Sequence, residues 1–118
     1  MRVEQAAIDG HDPVTTVIPA FNASTTLTRQ LVALDAQTYG RRFSVIVVDN
    51  ASTDPTAAVA QEYRPRTYDL SVVREDVRGV NFARNAGVAA AEDGVVLLCD
   101  ADDVVAEGWI ESLVSSLE

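Results

Sequence analysis

FSVIVVDN, Phe43 to Asn50, is the stretch that decides the fold: a nearly unbroken apolar run that ends in an aspartate and an asparagine. A strand with one face in water alternates apolar and polar residues. A strand covered on both faces reads as a continuous apolar run, the habit of parallel sheets packed between layers of helix. Phe43 to Val48 therefore predicts a central parallel strand, with Asp49 and Asn50 at its carboxyl end.

Upstream, VTTVI (Val14 to Ile18) is a β-branched run of strand length stopped by Pro19. The loop PAFN, Pro19 to Asn22, leads into capping candidates Asn22 and Ser24. A helix to about Gln37 follows, marked by Leu27, Leu31 and Leu34 at helical spacing, with Tyr39-Gly40 as its stop.

Downstream, Asp54 as cap and Pro55 at the first helical position predict an alanine-rich helix to about Tyr63, closed by Pro65. Leu70 to Val73 reads as a shorter strand whose ragged polar flanks suit a sheet edge. A charged loop containing Gly79 precedes a helix from Asn81 to Ala91, in which Phe82, Ala86 and Ala89 or Ala90 are expected to face the sheet and Gly87 permits close approach. Val95 to Cys99 forms a fourth strand. The last helix, Glu107 to about Leu117, sets Trp109, Leu113 and Leu117 on one face beside Ile110 and Val114.

Strands alternating with helices predict a three-layer, Rossmann-like α/β fold with a mainly parallel sheet of strand order 3-2-1-4 flanked by helices. Residues 1–13 are expected to be a flexible polar leader in which His11 is solvated, and residues 14–118 a single domain. The distinctive polar residues, Asn22, Asp49, Asn50, Asp100 and Asp102, all follow the carboxyl ends of predicted strands, the edge where open α/β sheets bind ligands.

Composition narrows the function. At 118 residues and 47% hydrophobic content the chain is globular and of single-domain size. The net charge is −9 and all nine basic residues are arginine, which opposes a nucleic-acid partner and removes the lysine that a Walker phosphate loop or Schiff-base chemistry requires. The single cysteine, Cys99, sits in an apolar run, so neither an intrachain disulfide nor a thiolate cluster can form, and a buried thiol in a reducing compartment is expected. No transmembrane segment and no signal peptide is legible, so the chain is expected in the cytoplasm, with peripheral attachment to the inner membrane face as a variant.

In LLCDADD, Leu97 to Asp103, the fourth strand ends in three carboxylates within four positions. Gathering like charges costs free energy unless a cation or ligand offsets it. With no histidine or thiol among the donors, this is a hard-oxygen site suited to Mg or Mn. Such sites fill their remaining positions with water and substrate phosphate, which points to a diphosphate ligand. A solvated acidic turn is the alternative, and Asp103 could instead cap the last helix.

The motifs together resemble family 2 glycosyltransferases. VTTVIPAFNASTTLTRQLVALDAQTYGRRFSVIVVDNASTDPT matches their apolar strand, P-x-[YF]-N, a helix ending near Q-T-Y, and VVDD or VVDN followed by GSTD or ASTD. GVNFARNAGVAAAEDGVVLLCDADD matches the G-x-x-x-ARN-x-G helix and the strand ending in DXD. The resemblance implies the N-terminal part of a GT-A fold, binding a nucleotide-diphosphate sugar of uridine or thymidine type and passing the sugar with inversion to a saccharide or lipid-linked acceptor.

By position, Pro19, Ala20, Phe21 and Asn22 would border base and ribose, and Asp49 and Asn50 would sit at the base, where many members carry a second aspartate in place of Asn50. Arg84 would meet the phosphates, Asp100 the ribose or an indirect metal contact, and Asp102 the divalent metal directly. Phe21 as a core aromatic and Arg84 in a surface ion pair are the structural alternatives. In the family, the acceptor-binding part and the catalytic base follow the DXD helix. No base is therefore assigned here, and the chain is expected to be the truncated donor half, alone or as a homo-oligomer. A non-catalytic sugar-nucleotide-binding or assembly module is the second reading. A nucleotidyltransferase is third, weakened by the absence of a glycine-rich basic loop from PAFNAS.

Overall fold

The computed structural model describes residues 3–5 and 12–117. Strands β1 (Val3–Gln5), β2 (Val14–Ala20), β3 (Phe43–Asp49), β4 (Tyr68–Arg74) and β5 (Val95–Leu98) form one sheet. Helices α1 (Leu27–Asp35), α2 (Thr56–Glu62), α3 (Val80–Ala90) and α4 (Trp109–Leu117) cover it. The sheet order is β1-β5-β2-β3-β4. For the four strands read from the sequence this is the expected 3-2-1-4 arrangement, and all of their pairings are parallel.

The leader, expected to be loose, contributes a strand: β1 pairs antiparallel with β5, Val3 opposite Leu97, and covers what would otherwise be an open edge. Only the backbone pairing reveals this, because three residues of mixed polarity carry no strand signal of their own. His11 lies outside the described residues.

Register places the site. Ala20 stands opposite Asp49 and Val17 opposite Leu98, so the ends of β2, β3 and β5 lie side by side. Strand order reverses about β2, and the crevice opens there.

The two sheet faces differ. Val14, Ile18, Val45, Val47, Val95 and Leu97 meet Leu27, Leu31 and Leu34 of α1, Ala60 of α2, and Ile110 and Val114 of α4. Val17, Ile46, Val48, Val96 and Leu98 meet α3 alone. On α3 the buried positions are Ala83 and Gly87, whereas Phe82 is 51% exposed and Ala89 and Ala90 are also exposed, which corrects the expected helix face. The reason is separation: a Cβ added at Gly87 would lie 2.3 Å from Val17 Cγ1, a spacing that leaves no room for phenylalanine beneath the helix. On α4 the fully packed pair is Ile110 and Val114, with Trp109, Leu113 and Leu117 half-buried at its sides.

Asp35, at the end of α1, ties this helix to the start of β4. Its carboxylate accepts hydrogen bonds from Tyr63 Oη (2.6 Å), Thr67 Oγ1 (2.7 Å) and the amides of Arg66 and Thr67. Burial alone would raise its pKa, but the hydrogen bonds from Tyr63, Thr67 and Arg66 together hold it below the usual carboxylate value. A lowered folded-state pKa contributes stability that is complete above the unfolded value near 3.8 and is lost as pH falls through the folded one. Asp35→Asn keeps the shape and removes the charge. It is expected to cost about 1 kcal/mol or more at neutral pH, because the charge is lost and one of two accepting oxygens becomes an NH2 that faces a donor. In urea unfolding the gap to the parent should close below the folded pKa, and a pH-independent gap would contradict the assignment.

Candidate functional site

The loop after β2 is locked to the loop after β3. Asn22 adopts a positive φ of 49°, a conformation asparagine tolerates better than most residues. Its Oδ1 accepts from the amides of Thr53 (2.8 Å) and Asp54 (3.3 Å) and from Thr53 Oγ1, while its own amide donates to Ser52 Oγ (3.0 Å). Asp54 returns the link, accepting from the Ser24 amide (3.1 Å) and from the amide and hydroxyl of Thr56. The Thr56 hydroxyl bond is the foremost cause that holds its pKa down at about 2, against an opposing contribution from burial. Pro55 occupies the N-cap position of α2, so Asp54 binds the helix start from one residue further back than expected.

Asn50, 4% exposed, spans the next loop. Its Nδ2 donates to the carbonyls of Glu75 (3.0 Å) and Val77 (2.8 Å), its Oδ1 accepts from the Gly79 amide (3.0 Å), and its backbone amide donates to Ala20 (2.8 Å). The side chain thus holds the 75–79 loop rather than presenting a free amide. Asp49 is buried beside it, accepting from the Ser52 amide (3.3 Å) and facing Arg74 Nη1 at 3.5 Å. The held loop carries Arg78, whose guanidinium lies 3.7 Å from the centre of the Phe21 ring. Phe21 is 40% exposed, so it is a surface aromatic rather than a core one. Pro19, Ala20, Phe21, Asn50, Arg78 and Ala83 border a cleft of about 250 Å³.

The acidic loop lies across β2 from this cleft. Asp100, Asp102 and Asp103 are exposed, while Cys99 beneath them is buried, its thiol pushed up to about 12 by burial and then by the charges of Asp100 and Asp103. That thiol is inert at neutral pH. Asp103 Oδ1 accepts from the adjacent Val104 amide (2.8 Å), well before α4 begins, so it shapes the loop instead of capping that helix.

Three side chains from α1 and the residues after it hold the loop. Gln30 Nε2 donates to Asp100 O (2.8 Å) and Gln30 Oε1 accepts from the Val105 amide (3.0 Å). Gln37 Nε2 donates to Ala106 O (2.8 Å) and its Oε1 accepts from the Ile110 amide (3.0 Å). The Thr38 amide and hydroxyl both donate to Glu107 O. The Gln-Thr of the Q-T-Y signature is thereby explained as a clamp on the acidic loop.

Two clefts flank these acids. One, about 450 Å³, is bordered by Pro19, Phe21, Asn22, Thr26, Asp100 and Asp102. The other, about 120 Å³, brings Arg84 together with Asp100, Asp103 and Trp109. Arg84 makes no ion pair among the described residues, so the surface-pair alternative does not hold for it. Pro19 borders all three clefts, which adjoin one another as a furrow along the carboxyl edge. A separate cleft of about 500 Å³, between β4 and α2, contains none of these residues.

A divalent cation fits this furrow only as a joint site. Among the described residues no three acidic, histidine or cysteine side chains converge on one point. Asp100 and Asp102 supply oxygen donors of the type Mg and Mn prefer, and a metal held by one or two carboxylates completes its shell with phosphate and water.

Residues 15–118 match the family described as Glycosyl transferase family 2. The chain belongs to that family. Succinoglycan biosynthesis protein ExoO of Rhizobium meliloti is 39% identical over 100 residues, covering 84% of this chain and 28% of its own. Among solved structures, S. aureus TarS in complex with UDP superposes with a TM-score of 0.76 at 27% identity, over 87% of this chain and 31% of TarS. Mannosyltransferase PcManGT of Pyrobaculum calidifontis, in complex with GDP-Man and Mn2+, gives 0.73 at 28% identity, over 97% and 34%. The chain therefore spans about a third of the length of each, and its mainly parallel sheet with flanking helices is that of the GT-A glycosyltransferases. No helix among the described residues is long and apolar enough to cross a membrane.

Gln30 was not singled out from sequence, and Gln37 and Thr38 were read there only as part of the Q-T-Y signature, with no role assigned. Gln30 did leave a signal, since it stands three residues after Leu27 and four before Leu34, on the apolar stripe of α1, where a polar amide must find internal partners.

Proposed function

We propose that this chain is the donor-binding part of an inverting glycosyltransferase that moves a sugar from a nucleotide diphosphate to a saccharide or lipid-linked acceptor. The furrow of adjoining clefts about Pro19 carries the reading, apolar and aromatic at one end and acidic at the other. Solved relatives in complex with UDP, UDP-GlcNAc, and GDP-Man with Mn2+ support it.

The base enters beside Phe21, over a floor of Pro19 and Ala20, with Asp49 and the loop held by Asn50 behind it. Asn22 fixes the turn that forms the rim. Asp100 meets the ribose side of the diphosphate, and Asp102 holds the divalent cation. When bound, that cation supplies the Lewis-acid charge that stabilises the departing diphosphate. Arg84 offers a planar, bidentate cation to the same phosphates. It borders the same cleft as Asp100 and Asp103.

Titration calorimetry with uridine diphosphate, with and without Mn2+, tests the assignment. The parent should bind more tightly with metal present. Asp102→Ala should remove about tenfold or more of that metal-dependent gain and leave the metal-free affinity unchanged. No binding of any nucleoside diphosphate by the parent, or an unchanged metal dependence in Asp102→Ala, would overturn the reading.

A further inference from the structure

We infer that Gln30 is a positioning residue for the metal-binding end of the furrow, an inference that rests on the donor-site reading above. The acidic loop makes little internal structure. Between Asp100 and Val105 its backbone closes on itself only through the long Asp103 N–Asp100 O contact of 3.4 Å, and Val104 N bonds the side chain of Asp103. Both ends of the segment are instead fastened to one side chain, Asp100 O to Gln30 Nε2 and Val105 N to Gln30 Oε1.

Gln30 is fully buried, on the α1 face formed by Leu27, Leu31 and Leu34. A buried amide there has few alternative orientations: turning it over would set NH2 against the Val105 amide and oxygen against the Asp100 carbonyl. The amide therefore fixes the span between residues 100 and 105, and with it the direction in which the Asp100 and Asp102 carboxylates leave the backbone. Gln37 and Thr38 hold the loop further on, at 106, 107 and 110, where no carboxylate of the furrow is attached. Gln30 thus grips the acidic segment itself, at both of its ends. Outer groups of this kind set metal affinity by orienting the groups that bind the metal.

Gln30→Met, close in volume and without either polar atom, provides the test, with thermal melting to establish folding. Calorimetry is run with uridine, with uridine diphosphate alone, and with uridine diphosphate plus Mg2+. The variant should bind uridine and metal-free uridine diphosphate as the parent does, and lose about tenfold or more of the metal-dependent gain. Retention of that gain, or an equal loss in all three titrations, would overturn the positioning role, because a purely structural contribution would lower every affinity together.

A second measurement needs no variant. In the parent, the Gln30 side-chain NH2 and Val105 amide resonances should shift with uridine diphosphate plus Mg2+ and not with uridine, and resonances that stay still would refute the coupling. A parent that binds no nucleoside diphosphate under any condition would fail the donor-site reading itself, a result distinct from either failure of Gln30.

Discussion

Asn50→Asp is expected to destabilise the protein by about 3 kcal/mol at neutral pH and to weaken nucleotide binding as the 75–79 loop loosens. The change adds no bulk. It replaces an NH2 that donates to two carbonyls, Glu75 and Val77, with an oxygen that can donate to neither. Two acceptors lose their partner while a carboxylate is left 4% exposed against them. Only the Gly79 amide, at 3.0 Å, would still favour the charged form. Many family members carry aspartate here, so the cost comes from this chain's loop and not from the position itself. The introduced carboxylate should titrate above the ordinary aspartate value, because its charged form is disfavoured by burial and by the facing carbonyls. The deficit should therefore shrink as pH falls through that raised value, when the protonated oxygen can donate once. Denaturant unfolding across pH checks both points. A variant as stable as the parent at neutral pH would show that the loop has another anchor.

The same residue marks how far sequence could be read. Strand identity and order were legible because Phe43–Val48 and Val95–Cys99 are apolar on both faces, and only a parallel sheet between helices buries such runs. The ligand edge was legible because the polar residues gather at strand ends. What a polar side chain does at that edge was less so. Asn50 and Asn22 resemble ligand contacts in sequence, yet each spends its hydrogen bonds on a neighbouring loop separated by 25 or more residues, a pairing no local pattern encodes. Phe82 misled for a related reason: helical periodicity identifies the residues that share a face but not how close the sheet comes. Gln30 was hidden by its type, since a glutamine on a helix is ordinarily solvated and only its place among three leucines marks it as buried.

The close approach that displaced Phe82 carries the other large expected effect. Gly87→Ala places a carbon 2.3 Å from Val17 Cγ1, with Val17 Cγ2 and Val48 Cγ2 at 3.2 and 3.1 Å, against a comfortable separation of about 3.5–4.0 Å. Alanine is the better helix former by about 1 kcal/mol, so the substitution would stabilise an exposed helix. Here overpacking should outweigh that gain and leave the variant about 2 kcal/mol less stable. Gly87→Val, which adds further methyls and loses most of the propensity gain, should cost more. The overlap also predicts its own rescue. The methyls in the way belong to Val17, so Val17→Ala creates the space that Gly87→Ala needs. Each single change destabilises, one through a cavity and one through a clash, yet the double variant should be more stable than the sum of the two by about 1 kcal/mol or more. Because α3 also carries Arg84 along the furrow, pushing the helix off the sheet should weaken nucleotide diphosphate binding in Gly87→Ala, and the Val17→Ala partner should restore it. If stability is rescued without affinity, Arg84 does not depend on the depth of α3. If neither is rescued, the contact between Gly87 and Val17 is not what sets the distance between helix and sheet.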